Sequence, residues 1–184
     1  MTASIVVFGS ESTGKTTLTH ALARRLGCAW SSEYVRDFWH ANDGDIRASD
    51  LTRIAAGQIE RMATARASAA QRAARYVLHD TDLLTHVLWV DLLFPGQCAD
   101  WVRETADLQA RQPALYLLCD IDIAWADDPQ RCFSAARERA AVQAYFKQAL
   151  CDRRLPFVTI SGSLTQREVR ALDAIALHVQ RISS

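Results

Sequence analysis

The run Ser4-Ile5-Val6-Val7-Phe8-Gly9-Ser10-Glu11-Ser12-Thr13-Gly14-Lys15-Thr16-Thr17 narrows what this chain can fold into more than any other stretch. An apolar segment of strand type ends at Gly9, and the pattern G-x-x-x-x-G-K-[ST] fills Gly9 to Thr16. A helical pattern follows, with Leu18, Ala21, Leu22 and Leu26 on one face and Gly27 at a C-cap position. Strand, glycine-rich turn and helix in that order make a phosphate cradle. Glycines let backbone amides approach phosphate oxygens, the helix N-terminus adds the positive end of its dipole, Lys15 brings a point charge, and Thr16 offers an oxygen to magnesium.

The same alternation continues down the chain. Apolar runs at 28–31, 76–79, 115–119 and 157–160 join the first at 5–8, and helical patterns separate them. This alternation predicts an α/β protein with a parallel sheet covered on both faces. Leu51, Ile54, Ala55, Ile59, Met62, Ala63 and Arg66 follow helical spacing, which predicts one long helix within 49–75. Ser163-Leu164-Thr165-Gln166 is a capping-box pattern opening a last helix through Val169, Leu172, Ile175, Ala176 and Val179. Pro95-Gly96-Gln97 is a loop signal between two helical stretches. No repeat or linker composition divides residues 1–184, so one domain is expected.

Zero net charge argues against nucleic acid as the main partner and favours a small molecule. The 5 cysteines, Cys28, Cys98, Cys119, Cys132 and Cys151, form no C-x-x-C pair and read as reduced thiols. No basic leader opens the chain and no apolar run reaches the roughly 20 residues of a membrane span, so a cytoplasmic protein without a membrane partner is expected.

Three further clusters carry candidate chemistry. Glu33-Tyr34-Val35-Arg36-Asp37 places two acids, a base and a ring just past the second strand, where a parallel sheet presents its ligand crevice; its plainer reading is a solvated loop with an ion pair. In Tyr76-Val77-Leu78-His79-Asp80-Thr81-Asp82, Asp80 is placed to hold magnesium or its water shell, while Asp82 is divided between substrate contact and a cap for the helix that follows. Trp125-Ala126-Asp127-Asp128-Pro129-Gln130-Arg131, with Arg137 and Arg139, puts guanidinium forks on a segment suited to cover transferring phosphate; Arg137 reads equally as solvated surface. The 5 histidines have no metal-ligand spacing.

Taken together, the phosphate loop, E-Y-x-R-D, D-T-D and W-x-x-D-x-x-R-x(7)-R resemble the ribosylnicotinamide kinase domain of the NadR-type NAD-salvage proteins, from Ile5 to the last helix. The resemblance implies a three-layer phosphate-loop kinase fold, with a five-stranded parallel sheet, helices on both faces and a helical lid. It implies ATP with Mg2+ as cofactors and transfer of phosphate to the ribose 5′-hydroxyl of nicotinamide riboside, giving nicotinamide mononucleotide. By the same resemblance Gly9, Ser10, Glu11, Ser12, Thr13, Gly14, Lys15, Thr16 and Thr17 hold the ATP phosphates, and Ser161 and Gly162 lie near adenine. Glu33, Tyr34, Arg36, Asp37 and Asp82 line the riboside pocket, Trp125 lies on its nicotinamide side, and Arg131 and Arg139 belong to the lid. The catalytic set is then Lys15, Glu33, Asp37, Arg131 and Arg139, with either acid as the base, and the metal set is Thr16 and Asp80.

Ser10 stands where that family often has proline, and Pro129 where glycine is usual. Some family members also carry a helix-turn-helix and an adenylyltransferase domain upstream; neither activity is expected of this chain. A deoxynucleoside kinase is the nearest rival reading, and a nucleotide-driven ATPase or switch, or a domain that binds without turnover, the more distant ones. The absence of N-K-x-D disfavours a GTPase.

Overall fold

The computed structural model describes residues 2–112, 114–126, 128–129 and 131–182, with the side chains of 114 and 179–182 left aside; Asp127, Gln130 and the side chain of Val179 therefore lie outside the described residues. The strands are β1 (Ala3–Phe8), β2 (Ala29–Ser31), β3 (Tyr76–Asp80), β4 (Ala114–Cys119) and β5 (Phe157–Ile160). They form one parallel sheet in the order β2-β3-β1-β4-β5. The helices are α1 (Lys15–Leu26), α2 (Tyr34–Ala41), α3 (Leu51–Gln71), α4 (Leu83–Leu93), α5 (Asp100–Ala110), α6 (Ala136–Asp152) and α7 (Leu164–Ile182). A 3-10 turn, Ala48–Asp50, leads into α3. This is the fold of the phosphate-loop kinases, as the alternating pattern and the resemblance imply.

Alternation along β1 builds the layers. Ile5 and Val7 point to one face and pack with Leu78, Leu115 and Leu117 against Leu18 and Leu22 of α1 and Ile175 of α7. Val6 and Phe8 point to the other face and meet Leu84 and Leu88 of α4 and Phe146 and Leu150 of α6. Both faces are dry, which is why the strands read as continuous apolar runs.

Strands β1, β3 and β4 extend one or two residues beyond their apolar runs, and two other boundaries move for local reasons. Cys28 is not strand: after Gly27 turns left-handed at φ 60°, its N–H closes α1 by donating to Ala23 O at 3.2 Å, and β2 starts one residue later. The long helix stops at Gln71, because the chain must turn at Ala73, with φ 51°, to reach the sheet. The capping box holds: Ser163 N donates to Gln166 Oε1 at 2.9 Å and Gln166 N to Ser163 Oγ at 3.4 Å. Among the described residues no helix is long and apolar enough to cross a membrane.

Chain order places the site. From β1 the sheet grows toward β3 and β2 on one side and toward β4 and β5 on the other, so a crevice opens at the carboxyl end of β1. The phosphate loop leaves β1 at that point.

Candidate active site

The phosphate loop is shaped by close approach. Gly9, at φ 138°, lies where a Cβ would come within 2.9 Å of Cys119 O, and Gly14, at φ 76°, where one would strike the Ile123 side chain at 2.8 Å. Ser10 is buried, and its N–H and hydroxyl donate to Gln143 Oε1 at 3.4 and 3.1 Å, while Gln143 Nε2 donates to Cys119 O at 2.8 Å. The departure from proline thus has a partner: proline has no N–H to give Gln143. Lys15 Nζ and Thr13 Oγ1 both donate to Ser10 O, at 2.7 and 2.9 Å, which folds the lysine back along the loop.

Thr16 Oγ1 donates to Asp80 Oδ2 at 2.6 Å, joining the loop to the end of β3. Asp80 is buried, and its other oxygen, Oδ1, has no hydrogen-bond partner among the described residues. Burial pushes the Asp80 carboxyl above its ordinary range, against the opposing pull of Thr16 and Lys15. A hydroxyl and an orphaned carboxylate oxygen side by side suit a hard, oxygen-seeking cation such as magnesium, which takes one or two protein oxygens and completes its shell with water and phosphate. Next to Asp80, Thr81 has φ 72°, a left-handed conformation that a β-branched residue resists. The strain lies at the turn that separates Asp80 from Asp82.

Around this pair opens a cavity of about 450 Å³, lined by the phosphate loop from Glu11 to Thr17 and by residues of α2, α3, α4 and the lid. Glu33 lines it, as the residue before α2, and burial raises its carboxyl above the ordinary range while Lys15 pulls it down. Arg36 also lines it, 3.8 Å from Glu33, and reaches Asp128 of the lid at 3.4 Å. Asp37 and Tyr34 are not on the wall. Asp37 takes a 2.7 Å hydrogen bond from Arg61 Nη2 and is 62% exposed, so the two acids of the cluster point to different places. The Tyr34 ring packs over Gly57 of α3 and under the Arg61 guanidinium, 4.7 Å from its centroid.

Asp82 is the helix cap that its position before α4 offers. It lines the cavity, yet Oδ1 caps α4 by accepting Thr85 N at 3.0 Å and Oδ2 accepts the buried Tyr116 hydroxyl at 2.7 Å. Burial raises its carboxyl despite these donors.

Between Asp120 and α6 the described residues of the lid segment form no helix, so before α6 begins the lid is not the helical one that the resemblance implies. Glu11 anchors it: its carboxylate accepts the N–H of Cys132 at 3.0 Å and of Phe133 at 2.6 Å. Ser12 Oγ accepts Ala126 N at 3.3 Å. Arg131, between these anchors, lines the cavity, and Arg139 on α6 donates to Ser12 O at 3.4 Å and Ile123 O at 3.1 Å. Trp125 lies away from the cavity wall. Arg131 and Arg139 lie over its ring at 5.7 and 5.5 Å. The indoles on the wall are Trp39 of α2 and Trp89 of α4, and the Trp89 ring stacks on Phe133 of the lid at 6.2 Å and 14°. Ser161 and Gly162 are off the cavity but adjoin the loop, since Arg167 donates to both Gly162 O and Thr13 O at 2.9 Å.

Sequence reading did not find Trp39, Gln58, Thr85, His86 and Trp89, all on the cavity wall. Burial lowers His86 to about 4, so it is neutral near pH 7. Gln58 Oε1 accepts Tyr34 N at 2.8 Å, holding the acid cluster to α3. None of these residues carries a local motif; a polar Gln58 within an otherwise apolar helical stripe was the one available signal.

Comparisons with known proteins agree on the fold. A family model described as AAA domain matches residues 4–167. The structure is similar to NadR protein in complex with NR, with TM-score 0.68 and 22% identity over 96% of this chain and 51% of that one. It is similar to NadR protein in complex with NAD and AMP-PNP, with TM-score 0.63 and 22% identity over 96% of this chain and 49% of that one. Deoxyadenosine kinase from M. mycoides with bound dATP matches with TM-score 0.56 and 14% identity, over 93% of this chain and 98% of that one. The chain therefore spans about half the length of the NadR chains it matches. A search of curated proteins finds no match.

Proposed function

The chain belongs to the AAA-domain family, and from that premise we propose that residues 1–184 are one ATP-dependent kinase domain that phosphorylates the 5′-hydroxyl of nicotinamide riboside. One observation carries the reading: the half-buried acid Glu33 lines one cavity with Lys15 and with Thr16, whose hydroxyl donates to Asp80 behind it. An acceptor hydroxyl seated against Glu33 lies on the phosphate side of the loop.

In this reading the loop amides and Lys15 bind the ATP phosphates, and Arg131 neutralises charge on the transferring group from the lid side. Thr16 and Asp80 would hold magnesium, which supplies charge neutralisation on the phosphates when bound. Glu33 accepts the proton of the 5′-hydroxyl as its oxygen bonds to the γ-phosphorus and the bond to the β-phosphate oxygen breaks. Its raised affinity for protons suits a base of this kind. Glu33 is favoured over Asp37 because Asp37 is exposed and paired with Arg61. In this reading Arg36, on the cavity wall, binds the ribose hydroxyls.

The acceptor's ring is assigned to the indoles of Trp39 and Trp89 rather than to Trp125, whose ring already faces two guanidinium groups. Indole faces suit a cationic nicotinamide ring, and the likeness to NadR protein in complex with NR supports that ligand. The likeness to deoxyadenosine kinase, matched over 98% of its length, favours a neutral nucleoside as the second reading.

The test is direct. The purified chain is incubated with magnesium-ATP and a panel of nicotinamide riboside, deoxyadenosine, cytidine and thymidine, and 5′-monophosphates are read by mass spectrometry. Preferred conversion of nicotinamide riboside is expected. Preference for a neutral nucleoside would replace the substrate, and ATP hydrolysis with no phosphorylated acceptor would replace the reaction with that of an ATPase.

A further inference from the structure

Arg167, on the first turn of α7, belongs to none of the motifs, yet it is among the most buried side chains of the protein, at 1% exposure. Burying a guanidinium is expensive unless its donors are met. They are met here by three loops at once. Nη1 donates to Thr13 O of the phosphate loop at 2.9 Å, Nε to Gly162 O of the β5–α7 loop at 2.9 Å, and Nη2 to Asp120 O, at the root of the lid, at 3.2 Å. Nη2 also donates to the Asp122 carboxylate, whose second oxygen accepts Gly162 N at 2.5 Å. Packing of α7 on the sheet is carried by Ala171 and Ile175, which lie in the apolar core.

The bond to Thr13 acts on the ligand side of the loop through peptide geometry. A trans peptide is planar, with its C=O and N–H pointing opposite ways, and no peptide here is cis among the described residues. Fixing the Thr13 carbonyl toward Arg167 therefore aims the Gly14 N–H away from it, toward the cradle where a phosphate oxygen would bind. A positive charge on the carbonyl side also strengthens that N–H as a donor.

We infer that Arg167 is a positioning residue for the nucleotide: it presets the Thr13–Gly14 peptide for phosphate and, through Asp122, ties the phosphate loop to the root of the lid. The inference rests on the reading of the loop as an ATP site but not on the identity of the acceptor.

The experiment titrates the full chain, with magnesium, against a fluorescent ATP analogue and measures displacement by ATP, ADP and adenosine for wild type, Arg167→Lys and Asp122→Asn. Thermal melting reports how much of each variant is folded. Lysine keeps the charge but cannot span the three carbonyls. ATP and ADP are expected to weaken about tenfold in Arg167→Lys, the loss of one hydrogen bond with a charged partner, while adenosine, which lacks phosphate, changes less than twofold. Asp122→Asn, which keeps the bond to Thr13, is expected to weaken ATP by about threefold and to serve if Arg167→Lys does not fold. Wild-type ATP affinity in folded Arg167→Lys or in Asp122→Asn overturns the inference, as does an equal loss for adenosine, which marks a merely structural role. A wild-type chain that binds ATP but phosphorylates no acceptor refutes the proposed reaction and leaves this inference standing; one that binds no ATP refutes both.

Discussion

Removing the carboxylate of Glu11 should open the lid, and the effect should travel through Arg131. The Glu11 oxygens accept two backbone N–H groups of the lid, from Cys132 and Phe133, at 3.0 and 2.6 Å. A hydrogen bond to a charged group contributes about 1.5–3 kcal/mol net when sheltered, and an exposed one less. The Cys132 contact is exposed and the Phe133 contact half-buried, so about 2 kcal/mol for the pair is a reasonable sum. That corresponds to a shift of roughly thirtyfold in the balance of docked and undocked lid. If Arg131 stabilises the transferring phosphoryl group from the docked lid, Glu11→Ala should lower kcat/KM by up to thirtyfold. The assay is a double-mutant cycle with Arg131→Ala, in steady-state kinetics on the best acceptor. Once Arg131 is gone, losing the latch should cost little more, so the coupling should approach the whole effect of Glu11→Ala. Trypsin should also cut faster at the lid arginines of the variant. Strictly additive effects of the two substitutions would refute the reasoning, because Glu11 would then act on the nucleotide by itself.

Lys15→Ala should abolish phosphoryl transfer while changing thermal stability by less than about 1 kcal/mol, since among the described residues the hydrogen bond of Lys15 Nζ goes to Ser10 O and its charge acts on Glu33 and Asp80 in a solvent-filled cavity; a melting curve and a single-turnover assay check both halves. Glu33→Gln should cut turnover by about 10²–10⁴-fold and remove the acid limb of the pH–rate profile. In wild type that limb should lie above the ordinary glutamate value of 4.5, because burial raises the carboxyl and only the ionised form accepts a proton. The linkage has the opposite sign: a carboxyl raised in the folded state favours folding below 4.5 and loses that contribution as pH climbs through its raised value, so stability of the unliganded chain should fall across the window just above 4.5. Gly57→Ala should destabilise by about 1–3 kcal/mol although alanine is the better helix former, because its Cβ would sit 2.4 Å from the Tyr34 ring. The acceptor KM should rise while the ATP KM holds; a stabilised variant would count against this packing.

Contiguous physics was readable from the sequence. The phosphate loop is a local object, in which Gly9 and Gly14 supply the conformations, Lys15 the charge, and the apolar segment before them the strand. The central strands were readable for the same reason, since strands with both faces dry print as uninterrupted apolar runs, whereas β2, with Trp30 exposed at the sheet edge, left only a short trace. The Ser163–Gln166 cap was readable because both partners sit within one helical turn. Tertiary structure decided whatever depends on which residues meet from afar. Glu33 and Asp37 are one turn apart in sequence, yet Arg61, arriving from α3, draws Asp37 outward while Glu33 stays in the cavity. Trp125 looked like the wall of the pocket, but Arg131 and Arg139 occupy the neighbourhood of its ring, and Trp39 and Trp89, silent in sequence, form the wall. Gln143 supporting Ser10 across 133 residues and Arg167 supporting Thr13 across 154 leave no periodic trace, because a hydrogen bond between distant residues constrains two side chains and not a pattern.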